Sequence, residues 1–159
     1  MIKTRRKAVA KATGDHKTLA AMSTPPARSS KKFLWPLEGS VVEQFGAQGA
    51  GLYNDGINIA APQGHIVRAA ENGIVVYTGS DLGGFGNLIL LRHADGYISA
   101  YAHVSTISVK RGQNVKRGET IAKVGSSGLV DTPQLHFEIR KGGDAINPIL
   151  MLPSISTSA

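Results

Sequence analysis

From Phe33 onward the chain alternates short apolar runs with Gly, Asn, Asp and Pro, so that a turn signal falls about every 8–12 residues. That spacing leaves room for strands and for little else. No segment beyond the first 32 residues keeps a helical period for about ten residues, so helix content should be low. Candidate strands are residues 41–45, 66–69, 73–78, 88–92, 97–102, 120–124 and 134–140. Turn sequences punctuate them: Glu71-Asn72-Gly73, the run from Gly83 to Asn87, and Ala94-Asp95-Gly96. The expectation is an all-β fold, antiparallel sheets of short strands, with Leu135, Phe137, Ile139, Leu88, Leu90, Val75 and Ile121 in its core.

The 159 residues suffice for one domain with a hydrophobic core. The net charge of +7 invites a nucleic-acid reading until its location is considered. Residues 1–32 carry nine Lys or Arg and one acid, whereas residues 33–159 carry nine basic and ten acidic side chains. The folded part is thus near neutral, and a nucleic-acid-binding surface is not expected. Residues 1–32 have almost no large apolar side chains and read as a disordered basic tail and linker. The domain is expected over 33–153, with a flexible tail at 154–159.

With no cysteine, disulfides and Cys-ligated zinc are excluded. No apolar run approaches the roughly 18 residues that a membrane span needs. Basic residues open the chain, but no apolar stretch of about 7–15 residues follows them as in an export signal. The Gly83–Gly86 loop joins two expected strands and matches neither glycine pattern of nucleotide-binding loops. A short repeat, Val109-Lys110-Arg111-Gly112 and Val115-Lys116-Arg117-Gly118, suits two tight turns with glycine at positive φ. Its four cations read as the solvated outside of those turns.

Of five histidines, two sit informatively. His103 ends the strand-like run 97–102. His136 lies in Gln134-Leu135-His136-Phe137-Glu138-Ile139-Arg140, which alternates strictly, so Gln134, His136 and Glu138 share the face away from the core. His16 lies in the tail, and His65 and His93, in or beside turns, read as surface residues.

Three blocks, Asn54-Asp55-Gly56-Ile57-Asn58-Ile59-Ala60, Tyr101-Ala102-His103 and Gln134-Leu135-His136-Phe137-Glu138, resemble those of the LytM (M23 peptidase-like) family in order and glycine framework. Active members read H-x-G-x-D, Y-A-H and H-x-H. The first His, the Asp and the last His bind zinc, and the other two His act on its water. The resemblance places Asn54, Asn58 and His136 at the ligand positions, and His103 and Gln134 at the water-activating ones. Carboxamides are poor zinc ligands, and catalytic zinc needs about three protein ligands of the His or carboxylate type. Without bound zinc nothing lowers the pKa of water, and Gln134 takes up no proton. Asp55, in an extended segment, would point away from the face of 54 and 58.

The resemblance therefore implies a degenerate domain framed by Gly-rich loops, with no catalytic residue, no metal and no other cofactor. Asn54, Asn58, His103, Gln134 and His136 would line a vacant groove. Members of this degenerate branch activate peptidoglycan amidases in cell division. The resemblance implies such an amidase as partner, peptidoglycan as a further ligand, and a periplasmic or cell-envelope location. A passive peptidoglycan-binding module and a residual zinc endopeptidase are the alternative readings.

Overall fold

The computed structural model describes residues 24–154, whose strands are all short except one. In chain order they are β1 (Ser40–Glu43), β2 (Gly46–Gly49), β3 (Leu52–Asn54), β4 (Ile57–Ala60), β5 (Ile66–Arg68) and β6 (Gly73–Gly79). There follow β7 (Asn87–Arg92), β8 (Tyr97–Ile107), β9 (Asn114–Val115), β10 (Thr120–Val124), β11 (Gln134–Lys141) and β12 (Asp144–Ile146). Helix among the described residues amounts to two 3-10 turns, Ala94–Gly96 and Pro148–Leu150. All seven expected strands overlap observed ones. Those not foreseen, β2, β3, β4, β9 and β12, have two to four residues, and of the foreseen strands only β1 and β5 are as short.

The main sheet runs β1-β4-β11-β8-β7-β6-β9, antiparallel throughout, with β12 beside β11. The far end of β8 leaves this sheet to pair with β10, which in turn pairs with β5. β2 and β3 form a separate hairpin. One face of the main sheet sends Ile57, Ile59, Ile89, Leu91, Tyr101, Leu135, Phe137 and Ile139 against Val67, Ile121 and Val124 from β5 and β10. This is the principal core. The opposite face carries a smaller one, Val76, Leu88, Leu90, Ala100 and Ala102 under Phe85. All seven expected core residues are fully buried, with Leu88 and Leu90 in the smaller cluster.

The two Val-Lys-Arg-Gly copies do form matching turns. Gly112 and Gly118 have φ of 90° and 84°, and the side chains of Gln113 and Glu119 accept from the backbone N–H of Lys110 and Lys116. Their cations are not all solvated, however. Arg117 pairs with Glu71, a carboxylate with no exposed surface, at 3.0 Å. The backbone N–H and the hydroxyl of Ser29 both donate to the same Glu71 carboxylate. Arg28 reaches Asp95 at 3.1 Å and lies over the rings of Phe33 and Tyr97. Residues 27–32 are thus tied along the domain by polar contacts that composition does not reveal. Residues 1–23 and 155–159, and His16 with them, lie outside the described residues.

His93 corrects the surface reading. Its ring is 1% exposed, edge-on to Phe33. The Ala70 N–H donates to the Tyr101 hydroxyl oxygen, the Tyr101 and Ser99 hydroxyls share a hydrogen bond, and Ser99 Oγ lies 2.7 Å from His93 Nε2. His93 Nδ1–H then donates to the Asn72 carbonyl at 2.7 Å. Burial pushes the pKa of this imidazole down to about 4 and keeps it neutral, so that Nε2 accepts from Ser99. Adjacency to the 94–96 turn suggested exposure; the turn is on the surface, but the side chain points inward.

Candidate functional site

One row of residues crosses the main sheet on the face of the smaller core. Glu43 of β1 lies opposite Asn58 of β4, Asn58 opposite His136 of β11, His136 opposite Ala102 of β8, and Ala102 opposite Leu88 of β7. The antiparallel pleat places directly paired side chains on one face, so Asn58 and His136 meet as neighbours. His103, the next residue along β8, sits at an irregularity where Val104 pairs with Asn87 and Ala102 with Leu88. Its φ of 68° is unusual for a side chain of this size. This bulge turns the imidazole toward His136, at 6.2 Å between ring centroids.

All five expected site residues come together. Asn54 Nδ2 donates to Asn58 Oδ1 at 3.2 Å, Asn58 Nδ2 to Gln134 Oε1 at 2.7 Å, and His136 Nδ1 lies 3.0 Å from Asn58 Oδ1. The direction of this amide chain is set at both ends. The Gly56 N–H donates to Asn54 Oδ1, so the Asn54 nitrogen faces Asn58. At the other end Gln134 Nε2 donates to the Thr132 carbonyl and hydroxyl, so its oxygen faces Asn58. Asn58 Oδ1 is therefore an acceptor, and His136 Nδ1 must carry a proton to meet it.

The other nitrogen of His136 meets Glu138 Oε2 at 2.7 Å. Arg140 donates to the second oxygen of Glu138 at 2.8 Å and to Asp55 Oδ2 at 3.3 Å. Burial opposes the charge on Glu138, but the hydrogen bonds and charges of His136 and Arg140 prevail and hold its pKa below the ordinary value. Glu138 is thus a carboxylate, and His136 Nε2 also faces an acceptor. Both ring nitrogens thus face acceptors. Behind them Arg140 bridges the carboxylates of Glu138 and Asp55, which completes a buried polar row.

Two sequence expectations change here. Asp55 does not point away from the site: the chain bends between β3 and β4, which breaks the alternation and lets the carboxylate reach Arg140. Glu138 and Arg140, which share the strand face of His136, prove to be its support. Their period-two spacing from His136 was the available signal. Nor are the site side chains open to solvent. Asn54, Asn58, His103 and His136 are buried, and Gln134 alone is half-exposed. Phe85 covers His136 with ring centroids 5.7 Å apart, and the Ser127 carbonyl lies 2.8 Å from His103 Nδ1. The loops bearing these two residues cross at Gly86 and Gly128, where a Cβ on either would collide with the other's backbone.

This donor set does not fit the zinc that active LytM-like sites hold. Of the three residues expected at ligand positions, two are carboxamides already engaged with each other, and the third is an imidazole whose two nitrogens both face acceptors. Among the described residues no three His, Cys, Asp or Glu side chains converge to hold a metal ion. No helix among them is long and apolar enough to cross a membrane.

Comparison with known proteins accords with this geometry. The profile described as peptidase family M23 matches residues 52–148. The cell division protein DipM of Caulobacter vibrioides is 46% identical over 128 residues, covering 77% of this chain and 21% of the relative. The murein hydrolase activator NlpD of Escherichia coli is 50% identical over 119 residues, covering 75% and 31%. A crystal structure of a zinc-containing peptidase from Vibrio cholerae superposes with a TM-score of 0.68 at 27% identity, covering 78% of this chain and 40% of that one. The chain thus spans between a fifth and a third of the length of the two curated relatives. It belongs to peptidase family M23.

Proposed function

We propose that this M23-family chain does not hydrolyse peptidoglycan but regulates an enzyme that does, by binding a segment of a cell-wall amidase at the amide site. The observation that carries this reading is the hydrogen-bonded closure of Asn54, Asn58, Gln134 and His136 upon one another, which leaves no ligand set for a catalytic metal. Similarity to a murein hydrolase activator, a cell division protein and an outer membrane antigenic lipoprotein supports a regulatory role and a place in the cell envelope.

The margin of the site favours a protein partner. Val42 beside Glu43, Leu52 two residues before Asn54, and Leu129 hydrogen-bonded through its N–H to Gly84 are each more than half exposed. Large apolar side chains held in the open around a polar centre are the composition of an association surface. Half-exposed Gln134 and the carboxylate of Glu43 supply polar contacts that would orient the bound segment.

Release of dye from labelled peptidoglycan tests the proposal. The protein alone, supplied with zinc, should release none, and a purified amidase should release more when the protein is added. Leu52→Asp and Leu129→Asp should abolish the stimulation while leaving the circular dichroism spectrum unchanged. Release by the protein alone would overturn the non-enzymatic reading. Silence in both arms would favour a passive wall-binding module instead.

A further inference from the structure

A cavity of about 610 Å³ opens between residues 34–38 and 64–68, sharing no residue with the amide site. Its size falls within the range of about 300–1,000 Å³ typical of small-ligand pockets. Trp35, the chain's one tryptophan, forms part of its wall. The indole N–H donates to the Pro153 carbonyl at 2.8 Å, which fixes the ring. The ring also packs against the principal core, so it is supported from behind while lining the cavity. On β5, Val67 enters the core, and the flanking Ile66 and Arg68 turn outward to the cavity. Arg68 is held by a hydrogen bond from Nη1 to the Gly118 carbonyl at 3.1 Å. Glu38 and His65, both exposed, complete the polar edge.

A fixed aromatic wall edged by carboxylate, imidazole and guanidinium groups suits a sugar ring. The C–H face of a pyranose packs on the indole, and its hydroxyls find both donors and acceptors around it. Glu38 offsets the charge of Arg68, so the cavity does not select a polyanion, whose recognition would call for uncompensated cations. We propose that this cavity binds a sugar unit of a glycan strand. The Gly64 N–H donates to the Val124 carbonyl and the Val124 N–H to the His65 carbonyl, and the adjoining Gly125 bridges to Gln134. One short stretch of backbone thus joins the cavity wall to the amide site. This inference does not depend on the identity of the amide site's partner.

Because Trp35 is the single tryptophan, its emission reports the cavity directly. The whole chain is titrated with tetra-N-acetylchitotetraose and, separately, with a peptidoglycan stem pentapeptide lacking sugar. A saturable emission change with the oligosaccharide and none with the peptide is expected. Arg68→Ala and Glu38→Ala should each weaken binding by about fivefold, the loss of one hydrogen bond. Lys110→Ala, an exposed cation elsewhere, should leave it unchanged. No emission change with the oligosaccharide, a change with the peptide instead, or equal affinity in all three variants would overturn the proposal. Amidase stimulation is not read in this titration, so its failure and the failure of the regulatory reading are separate results.

Discussion

His136 shows how neighbours set what an imidazole can bind. A carboxamide oxygen on one side and a carboxylate on the other present acceptors to both its nitrogens, whereas zinc needs a bare lone pair. If this neighbourhood alone blocks the metal, Asn54→His, Asn58→Asp and Gln134→His together should create zinc binding measurable by isothermal titration at micromolar protein. Failure of the triple variant to bind would mean that the backbone, and not only the side chains, has left the metal geometry. The support behind His136 carries its own prediction. Arg140→Met would remove the cation shared by the buried carboxylates of Glu138 and Asp55 and free the Gly143 carbonyl, costing about 3–5 kcal/mol. Urea unfolding measures this, and a loss under 1 kcal/mol, about the worth of a surface pair, would refute the buried polar row.

At the scale of elements, residues 27–32 and the 71–72 turn act together. Burial works to raise the pKa of Glu71, but bonds from Ser29, Asn72 and Arg117 outweigh it and hold the carboxylate below its ordinary value. A depressed carboxylate stabilises the fold above about pH 4.5, and that contribution is lost as pH falls further. Behind it, His93 is a base kept neutral by burial, with a folded pKa of about 4 against an ordinary 6.5. The unfolded chain takes up this proton first, so stability should fall as pH drops from about 6.5 to about 4. Melting temperatures across this range separate the two groups. His93→Gln should flatten the upper window and Glu71→Gln the lower. An unchanged slope between pH 6.5 and 4.5 in His93→Gln would reject the buried neutral histidine.

For the whole molecule, the folded unit extends beyond the residues that match the family profile. Phe33 is fully buried in the principal core, its N–H donates to the Met151 carbonyl, and Trp35 bonds the Pro153 carbonyl. Both ends of the domain are therefore closed by contacts between residues 33–35 and 151–153. A chain trimmed to begin at residue 34 loses the Phe33 side chain and should unfold more easily by about 3–5 kcal/mol. Urea midpoints of the trimmed and full chains decide this, and equal midpoints would show that the family core stands alone.

The strand-rich class and seven of the strands were legible because each depends on local order, whereas the five expected site residues came from the resemblance of three short blocks to a family. Alternation with period two marks a strand and its faces, and a metal motif is a spacing of residue types. The side-chain pattern of 134–140 contained even the support of His136, since Glu138 and Arg140 repeat its phase. What the chain order did not contain depends on encounters between distant segments. The bend that returns Asp55 to Arg140, the inward turn of His93 onto Ser99, and the closure of Asn58 on Gln134 join residues from six to eighty-five positions apart. Whether a polar side chain near a turn meets water or a buried partner is decided by what the rest of the fold brings against it. Local periodicity therefore determined the strands and their faces, the resemblance of three short blocks pointed to the five site residues, and tertiary packing alone decided that four of them are buried and that the amides close on one another.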